Sequence, residues 1–127
     1  MPVKLAVLAL LLCLFSVPPS WAAEDCKDPQ TQTDMNTCSA QEYKKADEEL
    51  NAVYKKALKL LEGADAAGIE KFKEVQRSWV RYRDLNCDYA TSVYEGGTIA
   101  PLIHATCLTE LTQERTKQIP KLFAEWE

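Results

Sequence analysis

The chain has 127 residues, with 15 Lys and Arg against 19 Asp and Glu, which gives a formal net charge of −4 at pH 7. A nucleic-acid-binding domain would be expected to carry a basic face, so this balance argues against that function. Two interpretations of the acidity remain open: it attracts a basic protein partner, or it only keeps the domain in solution.

Residues 1–22 have the pattern of a signal peptide. Lys4 precedes an apolar run over residues 5–17, and small residues at Ser20 and Ala22 suit cleavage after Ala22. The apolar run is too short for a comfortable membrane span, which disfavours an uncleaved anchor. Lipidation at Cys13 is also disfavoured, because the large residue Leu12 precedes it.

Residues 23–127 are therefore expected to form one domain, located in the periplasm or secreted. Removing Lys4 with the signal leaves 14 basic against 19 acidic side chains, a net charge of about −5. The four remaining cysteines are an even number, as a disulfide framework in an oxidising compartment requires.

The first helix is predicted to follow a polar N-terminal segment that contains Pro29 and is held at Cys26. Thr33 and Asp34 are expected to cap it. Its apolar positions recur mostly every three or four residues, which indicates one buried helix face. They are Met35, Tyr43, Ala46, Leu50, Tyr54, Ala57 and Leu61.

A second helix is predicted between Gly63, which ends the first, and the strong break at Gly96-Gly97. Asp65 is expected to cap it, and it runs to about Tyr94. Its predicted inward positions are Ile69, Phe72, Val75, Trp79 and Tyr82.

A third helix is predicted to begin near Pro101 and to end at Pro120. Its predicted buried stripe consists of Ile103, Cys107, Leu111 and Ile119, supported by Leu108. No strand-like alternation competes with these helices. The predicted fold is an all-α, three-helix antiparallel bundle.

The cysteine pairing follows from the hairpin formed by the second and third helices. Cys87 lies ten residues before Gly97 and Cys107 lies ten after it, so the two cysteines should meet at the same height. Cys26 would then pair with Cys38 and fix the N-terminal segment to the first helix. Two disulfides are thus expected to stabilise the bundle.

No catalytic constellation stands out, and the protein is predicted not to be an enzyme. His104 is the sole histidine, and the cysteines are better explained as disulfides than as zinc ligands. The loop at Gly96-Gly97 lacks the glycine spacing of a nucleotide site. No cofactor and no metal is expected.

A polar set on the inward faces suggests a network between helices. Asp47 or Asn51 of the first helix is predicted to meet Arg83 of the second or Arg115 of the third. Two interpretations remain open: the network only fixes the register of the helices, or it contributes to a functional site.

The combined motifs resemble the lysozyme inhibitor LprI-like family of exported bacterial proteins. The resemblance covers Cys26 to about Ile119 and is carried by these motifs: Met35-x-x-Cys38, Asp47-x-x-Leu50-Asn51-x-x-Tyr54, Gln76-x-x-Trp79-x-x-x-Arg83-Asp84-x-x-Cys87, Gly96-Gly97 and Cys107-x-x-x-Leu111-Thr112-x-x-Arg115.

The resemblance implies a small helical domain that inhibits lysozyme by direct binding. The predicted protein partner is lysozyme or a related glycan hydrolase. The member that defines this activity is a lipoprotein; this chain has no lipidation cysteine at its expected mature start, so a soluble form is implied. A direct contact needs a protruding element, and the candidate is the turn Tyr94-Glu95-Gly96-Gly97-Thr98. This turn has two interpretations: a binding element, or merely the bend of the hairpin. The alternative function is a periplasmic interaction or stress-tolerance module that does not inhibit lysozyme.

Overall fold

The computed structural model describes residues 26–124, which fold into three α-helices and one short 3₁₀ turn. Helix α1 spans Gln32–Leu60, α2 spans Ala66–Thr91, the 3₁₀ turn spans Ser92–Tyr94, and α3 spans Ala100–Lys121. No strand occurs in this part of the chain. The predicted all-α bundle is confirmed, whereas the predicted signal peptide lies outside the described residues.

The helix caps explain where α1 and α2 begin. The Thr31 hydroxyl accepts from the amide of Asp34 (3.1 Å), and the Asp34 carboxylate accepts from the amide of Thr31 (3.0 Å). This reciprocal pair starts α1 earlier than the predicted caps, Thr33 and Asp34, because it needs an acidic residue three positions after the cap. Asp65 caps α2 as predicted, accepting from the amide of Gly68 at 2.8 Å.

Helix α3 packs against both α1 and α2, whose backbones approach each other much less closely. The apolar core lies at the end of the bundle where α1 passes into α2. The Phe72 ring stacks on Tyr54 with ring centroids 5.4 Å apart and meets Phe123 edge-on at 5.3 Å. The buried members of this core are Leu50, Ala57, Leu61, Phe72, Ile119 and Phe123.

The buried face of α2 differs from the predicted stripe. Val75 and Tyr82 are exposed, whereas Gln76 and Arg83 are buried next to them. An apolar side chain was favoured at each inward position, but polar side chains can be buried where they find partners on another helix. The shift by one residue leaves several large apolar side chains of α2 in solvent.

The buried face of α3 is also displaced from its predicted stripe. Ile103, Cys107 and Leu111 are only half-buried, and Ile119 alone of the predicted stripe is fully buried. Helix α3 also continues one residue past Pro120 instead of ending there. The buried residues are Ala105, Leu108, Thr109, Thr112, Arg115 and Ile119. Three of these six are polar, which hydrophobic periodicity cannot anticipate.

Both predicted disulfides are present. Cys26 bonds Cys38, twelve residues on, and Cys87 bonds Cys107, twenty residues on. The first fixes the N-terminal segment to α1, and the second joins α2 to α3. No helix within residues 26–124 is both long enough and apolar enough to cross a membrane.

Candidate functional site

A buried guanidinium occupies the middle of the bundle. Arg83 is 6% exposed and donates through Nε to the Asp84 carboxylate at 2.9 Å. Its Nη1 atom lies 3.7 Å from Oδ1 of Asp47 and 3.4 Å from the Thr112 hydroxyl. The Arg83 side chain therefore connects all three helices, because Asp47 belongs to α1 and Thr112 to α3.

Aromatic rings cover the same guanidinium. The Arg83 Cζ atom lies 5.2 Å from the Trp79 ring centroid and 5.5 Å from that of Tyr43. Such cation–π contacts partly replace the water that a buried guanidinium loses. Burial raises the pKa of the Tyr43 hydroxyl, and the positive charge of Arg83 partly opposes this.

The second buried guanidinium is less well satisfied. Arg115 donates through Nε to the Gln76 side-chain oxygen at 3.1 Å, and its Cζ lies 5.9 Å from the Trp79 ring centroid. Its Nη2 atom is buried without an acceptor. Burial lowers the pKa of Arg115, since desolvation disfavours the charged form.

The structure places the four residues of the predicted network in two clusters. Asn51 donates to Asp47 Oδ2 at 3.1 Å, and Asp47 lies beside Arg83, whereas Arg115 bonds Gln76 instead of Asp47 or Asn51. Gln76 was absent from the predicted network. Its place four residues after Phe72, on the inward face, was the available signal.

A groove of about 460 Å³ runs between α1 and α2 above these clusters. Buried Arg83 and Gln76 form part of its wall, and Lys73 and Arg77 stand on its α2 side. Asp47 is the sole carboxylate among its lining residues. The groove therefore lacks the pair of carboxylates that glycoside hydrolysis requires. No cluster of three or more metal-ligating side chains occurs among residues 26–124.

The turn from Tyr94 to Thr98 lies at the end of the α2–α3 hairpin, within a stretch over residues 92–99 that contains no buried residue. The Gly97 amide donates to the Tyr94 carbonyl at 2.9 Å, which closes the turn. Gly96 has φ of +78°, a conformation that side chains with a Cβ adopt rarely. A Cβ on Gly97 would lie 3.1 Å from the Tyr94 carbonyl oxygen.

Three contacts brace this turn from outside. Asn36 of α1 donates to the Thr98 carbonyl at 3.0 Å. Asp88 and His104 face each other across the hairpin with 3.1 Å between Oδ1 and Nε2. The disulfide between Cys87, the residue before Asp88, and Cys107 joins the same two helices. The turn is therefore exposed, and contacts hold both its Thr98 end and the two helices that flank it.

Comparison with known proteins gives one family and two curated relatives. Residues 23–119 match the family described as lysozyme inhibitor LprI. An uncharacterized protein of Rhizobium meliloti is 34% identical over 91% of both chains. The uncharacterized protein YecT of Escherichia coli is 29% identical over 77% of this chain and 71% of its own length. No solved structure matches the chain significantly.

Proposed function

Because this chain belongs to the lysozyme inhibitor LprI family, we propose that it is a non-enzymatic inhibitor that binds lysozyme directly. Two features of the molecule support export to the periplasm or the medium. The N-terminal sequence has the pattern of a signal peptide, and two disulfides join its helices.

The observation that carries the proposal is the braced, exposed turn from Tyr94 to Thr98. An inhibitor binds tightly when its contact element does not lose conformational freedom on binding. Here the Gly97–Tyr94 hydrogen bond, the Asn36–Thr98 hydrogen bond and the disulfide of Cys87 hold the turn before any partner arrives. The turn is thus a ready-made element for insertion into a cleft.

Charge determines how this turn would be oriented in the complex. Lysozymes are commonly basic, and the net charge of this chain is −4, so long-range attraction favours encounter. The catalytic centre of lysozyme holds two carboxylates, which would repel Glu95. We therefore place Glu95 against basic groups at the rim of the cleft. The Tyr94 ring and the Gly96-Gly97 backbone then enter the cleft.

The direct test is a lytic assay on peptidoglycan with the oxidised protein added in increasing amounts. We expect the parent to slow lysis and Glu95→Lys to weaken inhibition about tenfold or more, because it replaces an attraction with a repulsion. The matched control is Glu62→Lys, which makes the same change of net charge at the opposite end of the bundle. It is expected to retain most of the inhibition.

Two outcomes would count against the proposal. If the parent does not slow any of several lysozyme types at a large molar excess, inhibition is rejected and the interaction-module alternative is favoured. If Glu95→Lys and Glu62→Lys weaken inhibition equally, inhibition depends on the net charge of the domain, and the turn is not the contact with lysozyme. Thermal melts of both variants show whether each change leaves the fold intact.

A further inference from the structure

A row of large apolar side chains lies in solvent along one side of α2 and in the 3₁₀ turn that follows it. Tyr82, Leu85, Tyr89 and Val93 are 57%, 59%, 82% and 81% exposed. The spacing of three and four residues places Tyr82, Leu85 and Tyr89 on one stripe of the helix. Val93 follows four residues later, in the 3₁₀ turn. Cys87, between them in sequence, points to nearly the opposite side and is fully buried against α3. We call these four residues the α2 stripe.

Charged residues follow one edge of the α2 stripe in a regular order. Glu74, Arg81 and Asp88 are seven residues apart, so they lie above one another on the helix, and all three are exposed. Their signs alternate along the helix. The other edge carries Asn86, which is uncharged.

We propose that the α2 stripe is the contact surface for a second copy of this chain, paired through two antiparallel α2 helices. An isologous contact requires a surface that complements itself. With Leu85 near the two-fold axis, Tyr82 of one copy lies opposite Tyr89 of the other. Arg81 then lies beside Asp88 of the second copy, and the same contact occurs twice.

The charge distribution favours a second copy over a basic partner such as lysozyme. Two chains that each carry about −4 repel one another unless they meet where little net charge is present. The three charges beside the α2 stripe leave a net charge of only −1, since Arg81 stands between Glu74 and Asp88. A basic partner would gain little attraction from such a surface.

The area of the α2 stripe indicates how tightly two copies are expected to associate. Four side chains that are half or more exposed, two of them tyrosines, offer on the order of 500 Å² per copy. Pairing two copies would therefore bury about 1,000 Å², the lower end for specific interfaces. A dimer with a dissociation constant in the micromolar range is expected. This proposal does not depend on whether the protein inhibits lysozyme.

Sedimentation equilibrium of the oxidised protein over a wide concentration range tests the proposal. We expect the parent to approach twice the chain mass at high concentration. Leu85→Lys should weaken association about 100-fold or more, because it places two ammonium groups in the contact. Leu60→Lys, the same change at an exposed leucine of α1, should leave association unchanged.

A charge reversal tests the antiparallel arrangement itself. Arg81→Asp should weaken association about tenfold, and the double variant Arg81→Asp/Asp88→Arg should restore it. Asp88→Arg also removes the exposed pair with His104 that flanks the turn, so thermal melts of the single variant Asp88→Arg check that the fold is kept. A parent that stays monomeric at every concentration overturns the proposal. The proposal is also overturned if the double variant associates as weakly as Arg81→Asp alone. If Leu85→Lys abolishes lysozyme inhibition while the parent is monomeric, the stripe binds lysozyme and the proposed dimer is wrong.

Discussion

Arg83 Nη1 lies 3.7 Å from Asp47 Oδ1, so a guanidinium that starts on α2 is held by a carboxylate on α1. The backbones of the two helices approach each other closely at few places, and the groove lies between them along this part of the bundle. Asp47 remains 42% exposed, so water still reaches its carboxylate. The contribution of Arg83 therefore depends on its packing against Trp79 and Tyr43 as much as on its charge.

Arg83→Ala is expected to lower the free energy of unfolding by about 2–3 kcal/mol, through lost ring contacts and a lost hydrogen bond to Thr112. Denaturant or thermal unfolding measures this change, and the melting temperature should fall by about 10 °C. Arg77→Ala, on the exposed side of the same helix, should change stability by less than about 0.5 kcal/mol. Equal melts for parent and Arg83→Ala would show that the network does not support the fold.

Gln76 and Arg115 are expected to be strongly coupled. Gln76→Leu should destabilise by about 2–3 kcal/mol, because it removes the acceptor of a buried guanidinium. Arg115→Met should have a smaller effect, because it also removes the unpaired Nη2 atom. The double variant is expected to lie close to the parent. A double-mutant cycle from denaturant unfolding checks this, and additive effects would contradict it.

The two disulfides are expected to differ in importance. Replacing Cys87 and Cys107 by alanine should lower the free energy of unfolding by about 3–4 kcal/mol, since it opens a longer loop and empties a fully buried position. Replacing Cys26 and Cys38 should cost about 2–3 kcal/mol, since Cys26 is exposed and the loop is shorter. Denaturant unfolding of both double variants gives the comparison, and the reverse order would contradict it.

The loss of the hairpin disulfide should also affect inhibition. Because Cys87–Cys107 braces the turn, its removal is expected to weaken inhibition even where the domain is still folded. The lytic assay at a temperature well below the melting transition measures this, with the variant that lacks Cys26–Cys38 as the control.

The free energy of unfolding is expected to fall at alkaline pH, partly because the Tyr43 hydroxyl ionises. Burial raises the pKa of this hydroxyl in the folded state above its ordinary value of 10.0. The contribution of the neutral hydroxyl is thus fully present below about pH 10 and is lost as the pH rises through the folded-state pKa. Tyr43→Phe should make the alkaline decline less steep in unfolding experiments between about pH 9 and 11. An unchanged slope would contradict this.

The bundle and its disulfides were predictable because they depend on spacing along the chain. Equal distances of Cys87 and Cys107 from Gly97 are sufficient to pair them in a helical hairpin. The buried faces of α2 and α3 differ more from the prediction, because the predicted stripes contain apolar residues alone and the inward polar set includes Arg83 and Arg115 but not Gln76. Gln76 and Thr112 are buried only because Arg115 and Arg83 reach them from another helix. Such partners become visible only when the helices are placed side by side.

The exposed α2 stripe results from the same difference between the predicted and the observed buried face of α2. Tyr82 was assigned to the core because it is large and lies three residues after Trp79. The structure buries Arg83 instead, which turns Tyr82 outward. Hydrophobic spacing identifies an apolar helix face. It does not show whether that face packs against the same chain or against another molecule.

Neither covalent cross-link joins α1 to the hairpin of α2 and α3: one stays within the N-terminal part of the chain, and the other stays within the hairpin. Oxidation therefore does not prevent α1 from separating as a unit, with its connection to α2 as the hinge, if its side-chain contacts are lost. Such an opening would uncover the apolar face of α3 while every thiol stays bonded. Under oxidising conditions, the packing of α1 against α3 is thus extensive but is held without a covalent bond between the two helices.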